Sequence, residues 1–163
     1  MKQLILMSTV MLTSFQLLQK AFAAKIDRSS FYAAMRSKDI KVVDDQLAQL
    51  ARDATPGRSA FEGALMMKKA DLVTGPFKKL QLFKKGRSLL EDALKKHAAD
   101  PELRFLRLMI QEHAPGIVNY KSHLEEDRSL IEADFNKLPK DLQQIILDYS
   151  KESKVLAPED LKD

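Results

Sequence analysis

Arg104, Arg107 and Gln111 follow one another at intervals of three and four residues, which sets all three on a single stripe of a helix. Almost everything around them is apolar. Two guanidiniums on a stripe that lines a groove fork a carboxylate or an acidic peptide segment. Arginines beside a core also pair with Glu or Asp from neighbouring helices and hold the packing together. Arg107→Glu separates the two readings: the first predicts lost partner capture with helicity intact, the second a damaged fold.

Other residues of chemical type are more scattered. His123 and Asp127 are spaced i, i+4 and share a helix face, as two ligands of a metal would, but a third ligand must come from elsewhere. Glu125, Glu126 and Asp127 form a run of acids that reads as a solvated face rather than as paired acid and base. His97 follows Ala93 and Leu94 on an inward face, and His113 falls in the last turn of a helix, where partial positive charge is favourable. The lysines at 78, 79, 84, 85, 95 and 96 line a basic helix, and those exposed near an anionic lipid surface add about 1 kcal/mol each to docking.

Much chemistry is excluded by what the chain lacks. It has no cysteine, so disulfides, Cys-based zinc sites, iron–sulfur clusters, thiol catalysis and a lipidated cysteine are ruled out. No P-loop, dinucleotide glycine motif, nucleophile elbow or H-E-x-x-H is present, and the sequence implies no cofactor. Tryptophan is absent, which leaves few platforms for stacking bases or sugars.

The elements that must position these residues begin after a leader. Met1-Lys2 gives a positive start, a mildly apolar stretch runs from Leu4 to Leu18, and Ala21-Phe22-Ala23 supplies the small-x-small pattern of a signal peptidase site. Cleavage is expected between Ala23 and Ala24, with a periplasmic or secreted product. The apolar stretch is short of the about 20 residues that span a bilayer. Loss of the leader removes Lys2 and Lys20 and no acid, so the net charge of +4 falls closer to neutral, which argues against a nucleic-acid ligand. Residues 58–100 carry a basic excess and residues 120–163 an acidic one, an asymmetry that suits self-association or a partner with a complementary face.

Helical spacing runs almost throughout the remainder, and no period-2 alternation marks a strand. Helices are expected over Ser30–Arg36 and over Asp39–Arg52, the latter with Ile40, Val43, Leu47, Leu50 and Ala51 inward. After Thr55-Pro56-Gly57, Ser59 and Glu62 form a capping box that opens a helix to Leu72, with Phe61, Ala64, Leu65 and Leu72 inward. Pro76 opens the next, to His97, burying Phe77, Leu80, Phe83, Leu90, Ala93 and Leu94. Asp100-Pro101-Glu102 combines a cap, a first-turn proline and an acid facing the dipole, and starts the most apolar helix, which ends at His113 and should lie at the centre. A helix between Ile117 and Lys137 follows, with Ser122 and Glu125 as a second cap, and then one from Pro139 with Leu142, Ile145, Ile146 and Tyr149 inward. The expected organisation is a signal peptide over 1–23, a helical domain over 24–150 and a loose polar tail over 151–163. Short connections make it all-α, a stack of antiparallel helical hairpins.

Residues Ala93 to Leu103, with a small–large pair, an Asp-Pro turn and a new helix, resemble the junction between two tetratricopeptide repeats. The helix from Ala60 to Ala70, with Gly63 and Ala64 as small packing residues, resembles a first helix of that family. The resemblance covers about residues 58–114 and implies a short α-solenoid of the tetratricopeptide type. Glu102 to Gln111 together with Glu125-Glu126-Asp127 also resembles small exported proteins of Bacteroidetes. Stacked hairpins offer concave surfaces to peptides and proteins. The expected function is therefore a non-enzymatic module that binds a protein or peptide through Arg104, Arg107 and Gln111, with docking to an anionic membrane surface as the alternative and an enzyme third.

Overall fold

In the computed structural model, residues 26–52 and 57–161 are described. The signal peptide and its Ala23/Ala24 cleavage site lie outside the described residues. Among the described residues the fold is all-helical. Seven α-helices follow in order, α1 (Arg28–Arg36), α2 (Ile40–Ala51), α3 (Arg58–Leu72), α4 (Pro76–Lys96), α5 (Pro101–His113), α6 (Leu124–Asp134) and α7 (Lys140–Ser150), with short 3-10 turns at Gly116–Val118, Phe135–Lys137 and Pro158–Leu161.

Local chemistry explains most boundaries. The side chains of Asp27, Asp39 and Asp100 each accept a hydrogen bond from an amide in the first turn of α1, α2 and α5, satisfying donors that a helix leaves orphaned. The expected capping box at Ser59 does not form. Gly57, at φ 86, turns the chain into α3 two residues earlier, in a left-handed conformation that costs glycine nothing, and Ser59 falls inside the first turn.

The longest mutual packing is between α3 and α4. Gly63 sits against Gly86 and Leu90, and Met67 against Gly86, so residue numbers rise on one helix as they fall on the other and the pair is antiparallel. The approach is backbone to backbone. A β-carbon at Gly63 would stand 2.5 Å from the Gly86 carbonyl oxygen and 2.9 Å from the Leu90 nitrogen, so only glycine fits there.

The apolar core gathers around α5, whose Phe105, Leu106 and Leu108 are wholly buried. A chain of rings links the helices to it: Phe61 to Phe31 at 4.9 Å, Phe31 to Tyr32 at 5.0 Å, Tyr32 to Phe105 at 5.8 Å and Phe105 to Tyr149 at 5.3 Å. Arg28 clamps α1 onto this layer through two bonds to Glu102 (2.7 and 2.6 Å) and one to Asp141 at 2.9 Å.

Several expectations are corrected. Ile40 and Ala51 are exposed, and Gln46 takes an inward position on α2 instead. The helix expected from Ile117 begins only at Leu124, after a 3-10 turn that leaves Ile117 94% exposed. Ser122 does not cap it; His123 occupies the cap position, and its side chain caps no first-turn amide. The segment after Ser150 is not a loose tail. Leu156 and Leu161 enter the core, and Glu112 at the end of α5 accepts bonds from the Tyr149 hydroxyl (2.6 Å), the Ser153 hydroxyl (2.7 Å) and the Lys154 amide (2.6 Å).

Candidate functional site

The arginine stripe of α5 faces inward. Arg107 forks the carboxylate of Asp127, with Nε donating to Oδ2 and Nη2 to Oδ1, both at 2.7 Å. Its remaining nitrogen, Nη1, donates to Glu91 at 3.1 Å. Arg104 donates from Nη1 to Asp127 at 2.9 Å and to Glu126 at 2.6 Å, and from Nε to the carbonyl of Ala98 at 2.7 Å. Asp127 is completely buried in α6. The fork that the sequence offered to an external carboxylate is thus filled from within, because α6 brings an acid opposite both cations. A ligand would have to displace Asp127 to reach them.

Burial disfavours the Arg107 cation, but its bonds to Asp127 and the charge of Glu91 more than offset this and hold its pKa above the ordinary arginine value. The network continues to Tyr120, whose hydroxyl donates to Glu91 at 2.5 Å. Burial and that bond push the phenol far above its usual range. Arg87 lies over the Tyr120 ring, 4.6 Å from its centre. Gln111, also fully buried, accepts the His123 amide at 3.1 Å, which fixes the start of α6 against α5. Its Nε2 has no partner among the described residues.

Each histidine has surroundings of its own. His123 Nδ1 bonds Glu126 at 3.0 Å rather than closing a clamp with Asp127, whose oxygens are engaged by the arginines. Glu126 is held below the usual carboxylate range by His123 and then by Arg104. No group of three or more metal-ligating side chains gathers among the described residues. His97, expected inward, is exposed at the end of α4. His113 does lie in a last turn, with Nδ1 against the carbonyl of Met109 at 3.0 Å.

The basic helix, whose lysines are expected to suit a lipid surface, also carries apolar side chains in water where burial is expected. The side chains at 77 and 80 follow the inward spacing of α4, yet Phe77 is 79% exposed and Leu80 44%. Every residue from Thr74 to Gln81 is exposed, and Lys78, Lys84 and Lys85 make no hydrogen bond or ion pair with any described residue. Helix length is the signal that reveals it: α4 has 21 residues and α5 only 13.

No protein-family model matches the chain, and no curated protein or solved structure is significantly similar to it. No described helix is long and apolar enough to cross a membrane.

Proposed function

We propose that the protein is an exported, non-enzymatic helical interaction module, a short tetratricopeptide-like stack of antiparallel hairpins, whose contact surface is the projecting end of the α3–α4 pair. One contrast carries the reading. The arginines that could seize an acidic ligand are spent on Asp127, whereas at the start of α4 Phe77 and much of Leu80 face water and Lys78, Lys84 and Lys85 bond no described residue. Exposed Phe and Leu side by side are costly in water unless a partner covers them. Binding through Arg104 and Arg107 is not retained, since it needs Asp127 to leave a fully buried position.

A photo-crosslinking residue at Gln81, in cells making the precursor, tests this surface. Adducts at Gln81, lipid or protein, that are missing from a probe at exposed Glu152 support it; equal labelling at both sites, or none, refutes it. Mass analysis of the product checks whether the chain begins at Ala24.

A further inference from the structure

Helix α4 overhangs α5. At about 1.5 Å per residue, α4 is about 31 Å long and α5 about 20 Å. The two are joined by the short link His97–Asp100, and Phe83 meets Tyr120, just beyond the end of α5, with ring centres 5.7 Å apart. The turns of α4 before Phe83 therefore extend past the end of α5. They carry Phe77 and Leu80.

The loop that follows α5 adds to the same end of the molecule. Ile117, 94% exposed, lies in the loop that leads to Tyr120, which packs on Phe83 one turn after Leu80. Lys78, Lys79, Lys84, Lys85, Arg87 and Lys121 are exposed around them. From residue 72 to residue 90 there is no acid, and Glu91 is turned inward to Arg107 and Tyr120. Asp71, at the end of α3, is the acid nearest in sequence to the overhang.

We propose that this end docks the protein on an anionic lipid surface, with Phe77, Leu80 and Ile117 entering the boundary between headgroups and acyl chains and the lysines resting on the headgroups. The proposal rests on the interaction-module reading and names the partner. Charge complementarity selects it: unpaired lysines alternate with large apolar side chains, the pattern of interfacial membrane anchors. Shape agrees. A stable protein interface needs about 800 Å² from each partner. Three apolar side chains on a protruding end supply little of that, whereas a bilayer yields around a protrusion. Each lysine brought to an anionic leaflet multiplies affinity roughly fivefold.

Flotation of the purified chain with phosphatidylcholine vesicles, with and without phosphatidylglycerol, tests the assignment. Binding is expected only with phosphatidylglycerol and should fall at least tenfold on going from about 0.1 M to about 1 M salt. The variant F77S/L80S/I117S should lose at least tenfold in binding with a melting temperature within about 5 °C of the native chain. K84E/K85E should do the same, while K95E/K96E, an equal charge change at the far end of α4, should leave most binding in place. No binding to anionic vesicles, or equal loss in both charge variants, overturns the proposal. Should vesicles fail while Gln81 crosslinks a protein, the lipid assignment falls and the interaction surface stands. Failure of both experiments removes both.

Discussion

The seam between α5 and α6 and the overhang of α4 are both rich in cations, yet they spend them in opposite ways. At the seam, the side chains of Arg104 and Arg107 are 11% and 5% exposed, and each meets buried Asp127. At the overhang, lysines stand in water without acids, among apolar side chains that face water too. A charge taken out of water must be paired, and pairing exhausts it as a recognition group. A charge left in water keeps its capacity for a partner. Residue type alone pointed to the seam as the binding site; burial points to the overhang.

The comparison breaks most sharply at Asp127. Asp127→Ala takes the shared carboxylate from two buried guanidiniums, leaving Arg104 only Glu126 and Arg107 only Glu91 as acids, and should destabilise the fold by about 3–5 kcal/mol, read from chemical unfolding. Arg107→Glu should be comparably damaging, since it adds an acid beside Asp127 and Glu91, so lost binding in that variant would report on folding. Replacing Asp127, Arg104 and Arg107 together by apolar residues of similar size should recover much of the loss. If Asp127→Ala alone is nearly neutral, the seam is not the structural element described here.

Gly63→Ala should come next. Its new methyl group meets backbone on α4 at 2.5 and 2.9 Å, and backbone cannot swing aside as a side chain can. Forcing the helices apart should cost about 1–3 kcal/mol and lower the melting temperature. Because α3 and α4 carry the overhang between them, this variant should weaken vesicle docking only to the extent that it unfolds the protein.

The Glu112 clasp, which ties the end of α5 to α7 and the segment after it, titrates. Burial alone would raise its pKa, but bonds from Tyr149, the Lys154 amide and Ser153 bring it below the usual glutamate value near 4.5. A carboxyl group depressed in the folded state adds stability above its unfolded pKa and loses it as pH falls through the folded value. Stability should therefore drop more steeply below about pH 4.5 in the native chain than in Glu112→Gln. At neutral pH that variant should be weaker by about 1–2 kcal/mol, discounted for partial exposure. Protease cleavage after Ser150 should rise with it.

Legibility in the sequence followed the range of the forces involved. Asp100-Pro101-Glu102 was readable because cap, proline and acid act within one turn, and the structure has α5 starting there with the Asp100 carboxylate on the Glu102 and Leu103 amides. The heavy burial of α5 was readable from its apolar circumference. Ser59 misled because its capping pattern competed with Gly57, whose positive φ began the helix first. Phe77 and Leu80 misled because spacing reports which side of a helix would face a neighbour, not where the neighbour stops. The pairing of Arg107 with Asp127 spans twenty residues of sequence and depends on the tertiary placement of α6, which no local pattern encodes. The same holds for Leu156, in the short run Val155-Leu156-Ala157, and for Leu161, alone among charged residues.

The smallest expected effect bears most directly on the overhang. Serine at Phe77, Leu80 and Ile117 removes three large apolar side chains, a change that in a core would destabilise by several kcal/mol. Here Phe77 and Ile117 already face water in the folded state, so unfolding exposes little more of them and their burial contributes little to stability. Leu80 is 44% exposed and contributes part of its area. The net change in unfolding free energy should stay within about 0.5–1 kcal/mol of the native chain, with solubility unchanged or improved. A loss approaching that of Asp127→Ala would mean that these residues are packed in solution against something the isolated fold does not provide, such as a second copy, and sedimentation at rising concentration would then separate self-association from a lipid-docking surface.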